Sequence, residues 1–121
     1  MKYKKAFAKQ YFQVQQVNGG ALIGIARKYK NPEERNLDKP HSHSVWVSNG
    51  KSYSSGLPKD YTSRIENGSI IEVELDMHAG TLSYKVDGIA KGIAVSDKSL
   101  KEGEWYPTAH FGMNGDSVRI K

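Results

Sequence analysis

The chain has 121 residues, with 18 Lys and Arg against 13 Asp and Glu, a net charge of +5, 37% hydrophobic residues, and seven Tyr, three Phe and two Trp. This length supports one domain around one core, and the apolar and aromatic content excludes a disordered chain. No apolar run approaches the roughly 18 residues of a membrane span, the start Met1-Lys2-Tyr3-Lys4-Lys5-Ala6 lacks a signal peptide's apolar stretch, and the absence of cysteine removes disulfides, thiolate metal sites and cysteine nucleophiles, so the expectation is a soluble cytoplasmic domain.

Turn signals run along the whole chain. Asn-Gly occurs at 18–19, 49–50, 67–68 and 114–115, and Asp87-Gly88 adds a fifth such pair. These pairs suit the positive φ angles of tight hairpins, so they predict many short strands. In chain order, the first strand expected is Tyr11 to Val17, after a basic lead-in over residues 1–10. Ala21 to Ala26 is apolar on both parities, as in a strand buried on both faces. A long loop from Arg27 to His43 follows, holding at most one helical turn at Asn31-Pro32-Glu33-Glu34, where Asn caps, Pro comes first and the acids suit the helix dipole. Ser44 to Val47 is the next strand.

In Ile71 to Met77 apolar and acidic residues alternate, and Leu82 to Val86 repeats the alternation after a loop at 78–81. Side chains alternate along a strand, so these segments form an antiparallel pair with one dry and one wet face. Gly92 to Val95, Trp105 to His110 and Ser117 to Ile120 complete the set. Helical periodicity is otherwise missing, and no repeat or linker divides the chain. The fold class is all-β, a single antiparallel β-sandwich over residues 11–121.

Ordered motifs carry a family resemblance. They are Gly68 to Met77, Gly80 to Gly88 (Gly-Thr-Leu-Ser-Tyr-Lys-Val-Asp-Gly), Gly92-Ile93-Ala94, Trp105-Tyr106-Pro107 and a final Val118-Arg119-Ile120. Upstream stand Ile23-Gly24-Ile25-Ala26, Val45-Trp46, and Asn49-Gly50-Lys51-Ser52-Tyr53 with Gly56. Over residues 11–120 the sequence resembles the SPRY (B30.2-type) domain family, nearest in flavour to the SPRY domains of SOCS-box adaptors. The resemblance implies a concanavalin-like sandwich that captures peptide segments of partner proteins and catalyses nothing. Family members carry further strands before the equivalent of Tyr11, so the N-terminal loop that helps form the adaptors' pocket is expected to have no counterpart here.

Carried over position by position, the resemblance implies a peptide pocket at Ala26 and Arg27 after the Ile-Gly-Ile strand, at Tyr53 of the Tyr-x-x-Gly segment, and at His110, Phe111 and Gly112 after the Tyr-Pro strand. An aromatic ring supplies contact area, and neighbouring polar groups fix the peptide's register. Against this, Tyr53 and Phe111 are also readable as core aromatics and Arg27 as a solvated loop charge.

Catalysis finds little support. His41-Ser42-His43 puts two imidazoles on one face if extended, with His78 and His110 elsewhere, but a metal site needs more ligands and outer support. A loop is the better reading, and no metal or cofactor is expected. Asp76 and Asp87 flank a hairpin and suggest a glycosidase pair, yet Asp87 in a turn and Asp76 at a strand end are explained by local backbone donors. No nucleophile or phosphate-loop motif is present.

Charge supplies the rival reading. Residues 1–40 hold nine Lys and Arg against three Asp and Glu, net +6, leaving −1 for the rest. Tyr3, Tyr11, Phe12 and Tyr29 interleave with these cations, a pattern able to hold phosphates and stack bases. An acidic peptide would be attracted equally, and no nucleic-acid motif accompanies the charge. Glycan binding, as in lectin sandwiches, would require Trp46 or Trp105 to be exposed. Asn67-Gly68-Ser69 fits a glycosylation sequon but reads as a turn.

Overall fold

A computed structural model of the chain describes residues 7–16, 21–27, 42–54, 57–111 and 117–120. Strands β1 (Phe7–Gln16), β6 (Ile70–Asp76), β7 (Thr81–Val86), β8 (Ile89–Ser96) and β10 (Ser117–Ile120) form one sheet in the order β10-β1-β6-β7-β8. Strands β2 (Ala21–Arg27), β3 (Ser42–Trp46), β4 (Ser52–Ser54), β5 (Leu57–Lys59) and β9 (Trp105–Phe111) form the other, in the order β5-β4-β3-β2-β9. Every pairing is antiparallel. The molecule is the two-sheet sandwich that the alternation and turn signals predict.

Alternation decides what lies between the sheets. Phe12, Val14, Ile71, Val73, Leu75, Leu82 and Tyr84 point inward from the first sheet. Ala21, Ile23, Ile25, Val45 and Trp105 meet them from the second. The Tyr84 hydroxyl crosses the core and donates to the Ile23 carbonyl at 2.9 Å, tying the sheets together with a hydrogen bond as well as apolar contact.

The 71–86 hairpin closes as expected, and the next turn is set by Asp87-Gly88, both at positive φ (52° and 80°), the signature of a two-residue type I′ turn. Asp87 Oδ1 accepts from the Ile70 amide at 2.9 Å and Asp76 Oδ1 from the His78 and Ala79 amides at 3.0 Å, so both carboxylates are spent on backbone donors.

Differences from the sequence reading have physical reasons. β1 starts at Phe7 rather than Tyr11, because Phe7 to Lys9 continue the ladder opposite Asp76 to Glu74. β4 and β5 have three residues each, too short for alternation to show. β8 is longer than Gly92 to Val95, irregularities opposite Leu82 to Lys85 break its pattern, and Ile89 and Ile93 on it are exposed. His43 is a strand residue rather than a loop residue: it lies in the core with its ring 5.5 Å from Trp105 and Nδ1 2.9 Å from Ser54 Oγ. The helical turn expected at Asn31 to Glu34 lies outside the described residues. A 3₁₀ turn forms at Lys98–Lys101, where Asp97 caps it by accepting from the Ser99 amide and Leu100 plugs the core.

No described helix is long and apolar enough to cross a membrane. Among the described residues no group of three or more His, Asp or Glu could hold a metal ion.

Candidate functional site

The outward face of the second sheet carries a concavity of about 510 Å³ lined by Leu22, Ser42, Ser44, Trp46, Asn49 and Tyr53. Its construction follows from strand parity. In β3, His43 and Val45 turn inward, so Ser42, Ser44 and Trp46 turn outward. Register places Leu22 beside Trp46 and Tyr53 beside Ser44 on that same face.

The floor is low because small residues occupy its centre. Gly24 lies between Ser44 on β3 and Thr108 on β9. A Cβ there would overlap the His43 carbonyl and crowd Ser44 Cα, so only glycine allows β2 and β3 to pass this closely.

Two aromatics form the wall. The Trp46 and Tyr53 rings stand 6.3 Å apart at 54°, a tilted contact of the favourable kind. Asn49 closes one end from the turn after β3, where its Oδ1 accepts from the Lys51 amide at 2.8 Å and its Nδ2 reaches the Tyr53 hydroxyl at 3.4 Å. That turn is held by the Gly50 amide donating to the Trp46 carbonyl at 2.8 Å. It is held again from outside, since a Cβ on Gly50 would run into the Thr62 and Ser63 carbonyls.

Of the positions that the resemblance implies, Tyr53 and Arg27 have described side chains that go to different places. Tyr53 lines the concavity. Ala26 is half-buried and pairs with Ser42, one of the lining residues. His110 occupies the ladder position opposite Leu22, while Phe111 stands opposite the buried Ala21. Gly112 lies outside the described residues.

Arg27 is engaged elsewhere. Its guanidinium donates to the Ser99 carbonyl at 2.6 Å and the Glu102 carbonyl at 3.0 Å, and it lies 4.3 Å over the Trp105 ring. Trp105 Nε1 donates to the same Glu102 carbonyl at 3.2 Å. Arg27 therefore fastens the 3₁₀ turn to the end of β2, a task without a local signal in the chain. The sequence reading also left out Leu22, Ser42, Ser44, Trp46 and Asn49 as lining. The available signal was the small-polar, small-polar, aromatic alternation of 42, 44 and 46 beside an inward His43 and Val45. Of the two tryptophans, either of which would serve a glycan site if exposed, Trp105 is fully buried and Trp46 is half-exposed.

The other outer face is electrostatically closed. Lys9, Tyr11, Glu72, Glu74 and Lys85 share it by register. Lys85 Nζ lies 3.5 Å from Glu72 and 3.4 Å from Glu74, and Lys9 Nζ lies 3.9 and 3.8 Å from the same two. The hydrogen bond with Glu74, helped by Tyr11 and the two lysines, holds the Glu72 carboxyl below its ordinary pKa. The Glu74 hydrogen bond and the two negative charges raise Lys85, and the hydrogen bond to Glu72 raises Tyr11.

Two stacked antiparallel sheets with a pocket on one outer face place the chain among the β-sandwich domains. The SPRY domain profile matches residues 9–121, and the chain belongs to the SPRY domain family. It is similar in fold to the crystal structure of the SPRY domain of human HERC1, with a TM-score of 0.81 and 24% identity, over 99% of this chain and 77% of that one. Compared with curated protein sequences, the chain matches none. SPRY domains are generally protein-interaction modules.

Proposed function

We propose that this domain captures a peptide segment of a partner protein in the Trp46–Tyr53 concavity, as a non-catalytic adaptor or scaffold part in the cytoplasm. The observation that carries the reading is the aromatic-walled, hydroxyl-floored hollow on the exposed face of the second sheet. Aromatic rings give contact area at low entropy cost and the floor offers hydrogen bonds for register. The half-buried Ala26 and the ladder position of His110 flank that hollow and extend the candidate surface, with Phe111 and Gly112 following along the chain. Within the family, the proposed kind is the B30.2-type SPRY domain of SOCS-box adaptors, on the run of motifs from Ile23 to Ile120. Spent carboxylates at Asp76 and Asp87 support the absence of catalysis.

The test is a pull-down with tagged wild type, Trp46→Ala/Tyr53→Ala, and a control on the opposite sheet, Ser83→Ala, each run with and without nuclease. A protein kept by wild type and Ser83→Ala but lost by the double variant, with native circular dichroism in all three, supports the reading. Identical retention in all three refutes it. Retention that disappears only with nuclease moves the activity to the basic N-terminal region.

A further inference from the structure

Residues 89–95, Ile-Ala-Lys-Gly-Ile-Ala-Val, carry one charge, at Lys91, and no proline. A window of that composition pairs readily with other strands wherever its backbone edge is open. It falls in β8, which ends the described strands of its sheet, and Ile89 and Ile93 are 62% and 61% exposed there.

That edge is not a regular strand. Ala90 pairs with Lys85 and Ile93 with Ser83, so Lys91 and Gly92 together stand opposite Tyr84. Two residues against one make a β-bulge, and Gly92 supplies a positive φ of 90° within it. The Tyr61 hydroxyl fills the gap, donating to the Gly92 carbonyl and accepting from the Tyr84 amide. In a regular strand Ile89 and Ile93 would share one face. With the bulge, Ile89 lies beside Val86, which packs on the core, and Ile93 beside Ser83, which turns outward between the buried Leu82 and Tyr84. One apolar stripe is thereby divided between two faces.

We infer that Lys91 and the bulge it belongs to guard β8 against strand pairing with a second copy of this chain. Two β8 strands paired antiparallel about a twofold axis meet through the same residues. The register that sets Ile89 opposite Ile93 of the second copy also sets Lys91 opposite its own counterpart. The best apolar match therefore brings two ammonium groups together, and like charges directly opposite destabilise a strand pair. Straightening the strand to use that register also gives up the two Tyr61 hydrogen bonds. Charge and shape oppose the same event.

The experiment is sedimentation velocity on the full chain over about a hundredfold range of concentration, comparing wild type, Lys91→Thr and Lys98→Thr. Lys98→Thr makes the same change of charge in the 3₁₀ turn, outside the strand. The expected result is that Lys91→Thr self-associates at concentrations about tenfold or more below those that wild type or Lys98→Thr require. Adding Ile93→Lys to Lys91→Thr should return the chain to wild-type behaviour. A Lys91→Thr chain that sediments as Lys98→Thr does would overturn the inference. So would association that persists in Lys91→Thr/Ile93→Lys, since it then runs through another surface. A wild type that already associates and loses that association in Ile93→Lys would show an unguarded edge and overturn it too. Should Lys91→Thr lose native circular dichroism, Lys91→Gln, which removes the charge and keeps a long side chain, is read by the same criteria.

Discussion

Removing one oxygen atom, the Tyr61 hydroxyl, should loosen the join between β7 and β8. That ladder breaks twice between Leu82 and Lys85. At the break the Tyr61 hydroxyl donates to the Gly92 carbonyl at 2.6 Å and accepts from the Tyr84 amide at 3.3 Å, bridging the two strands. The ring sits edge-on to Tyr84 at 5.9 Å, and burial pushes the Tyr61 pKa up. In Tyr61→Phe the ring contact survives and both hydrogen bonds go. Each is worth about 1 kcal/mol net, the long one less, and a stranded carbonyl or amide adds to the loss, so the cost is about 1–3 kcal/mol. With an unfolding entropy of about 2.1 cal/mol/K per residue, a chain of this size loses about 4 °C of Tm per kcal/mol, or about 4–12 °C in all. Differential scanning calorimetry reads the Tm, and amide exchange at Tyr84 and Gly92 should accelerate more than at Ile23. A Tm within 1 °C of wild type, or exchange unchanged at Tyr84, would refute the bridge.

Four further outcomes are expected. Gly24→Ala should destabilise by about 2 kcal/mol or more in urea titration, because the neighbour its Cβ meets is strand backbone that cannot rotate aside. Arg27→Met keeps apolar cover over Trp105 but drops the bonds to Ser99 and Glu102, so it should cost about 1–3 kcal/mol and expose the 98–101 turn to proteolysis. Asp97→Ala should remove an acid-sensitive part of stability. Accepting from Ser99 holds the Asp97 carboxyl below its ordinary pKa, so its contribution is complete above that ordinary value and lost as pH falls through the folded one. A wild-type minus variant stability difference that stays flat from pH 6 down to acid unfolding would contradict this. Glu72→Gln should behave in the same sense, since Glu72 is also held low, and should additionally make stability less salt-sensitive because it removes ion pairs with Lys9 and Lys85.

How much of this was readable beforehand depended on whether a segment's own pattern or a distant contact shaped it. Ile71 to Val86 announced itself through strict alternation, and Asp87-Gly88 through its turn chemistry, because both signals are local. Ser52 to Ser54 and Leu57 to Lys59 were silent: three residues carry no period, and Pro58 argued against a strand that an edge position in fact tolerates. His43, in a run of His and Ser, looked like a loop, and only Trp105 and Ser54, distant in sequence, make it core. Tyr53 could be named from the family's motif. Trp46 and Asn49 could not be assigned beside it, because their convergence depends on the register between β3 and β4 and on the Gly50 turn. Arg27 looked like an open loop charge because nothing local hints that two carbonyls more than seventy residues away receive it.

The two outer faces differ in a way that supports the proposal of binding on one of them. On the first sheet, Lys9 and Lys85 cover Glu72 and Glu74, and these charges already neutralise each other over a flat ladder. A partner docking there would have to strip water from ions whose attraction is already satisfied within the face. On the second sheet, Gly24, Ser42 and Ser44 take up little volume, so a depression forms that hydroxyls line and two rings wall off. The inward neighbours of those residues, Ile23, Ile25 and Val45, carry the core independently. Strand alternation thus separates the side chains that fold the domain from those that line the proposed binding face. Substitutions at Trp46, Asn49 and Tyr53 can therefore change the guest while the packing between the sheets is preserved.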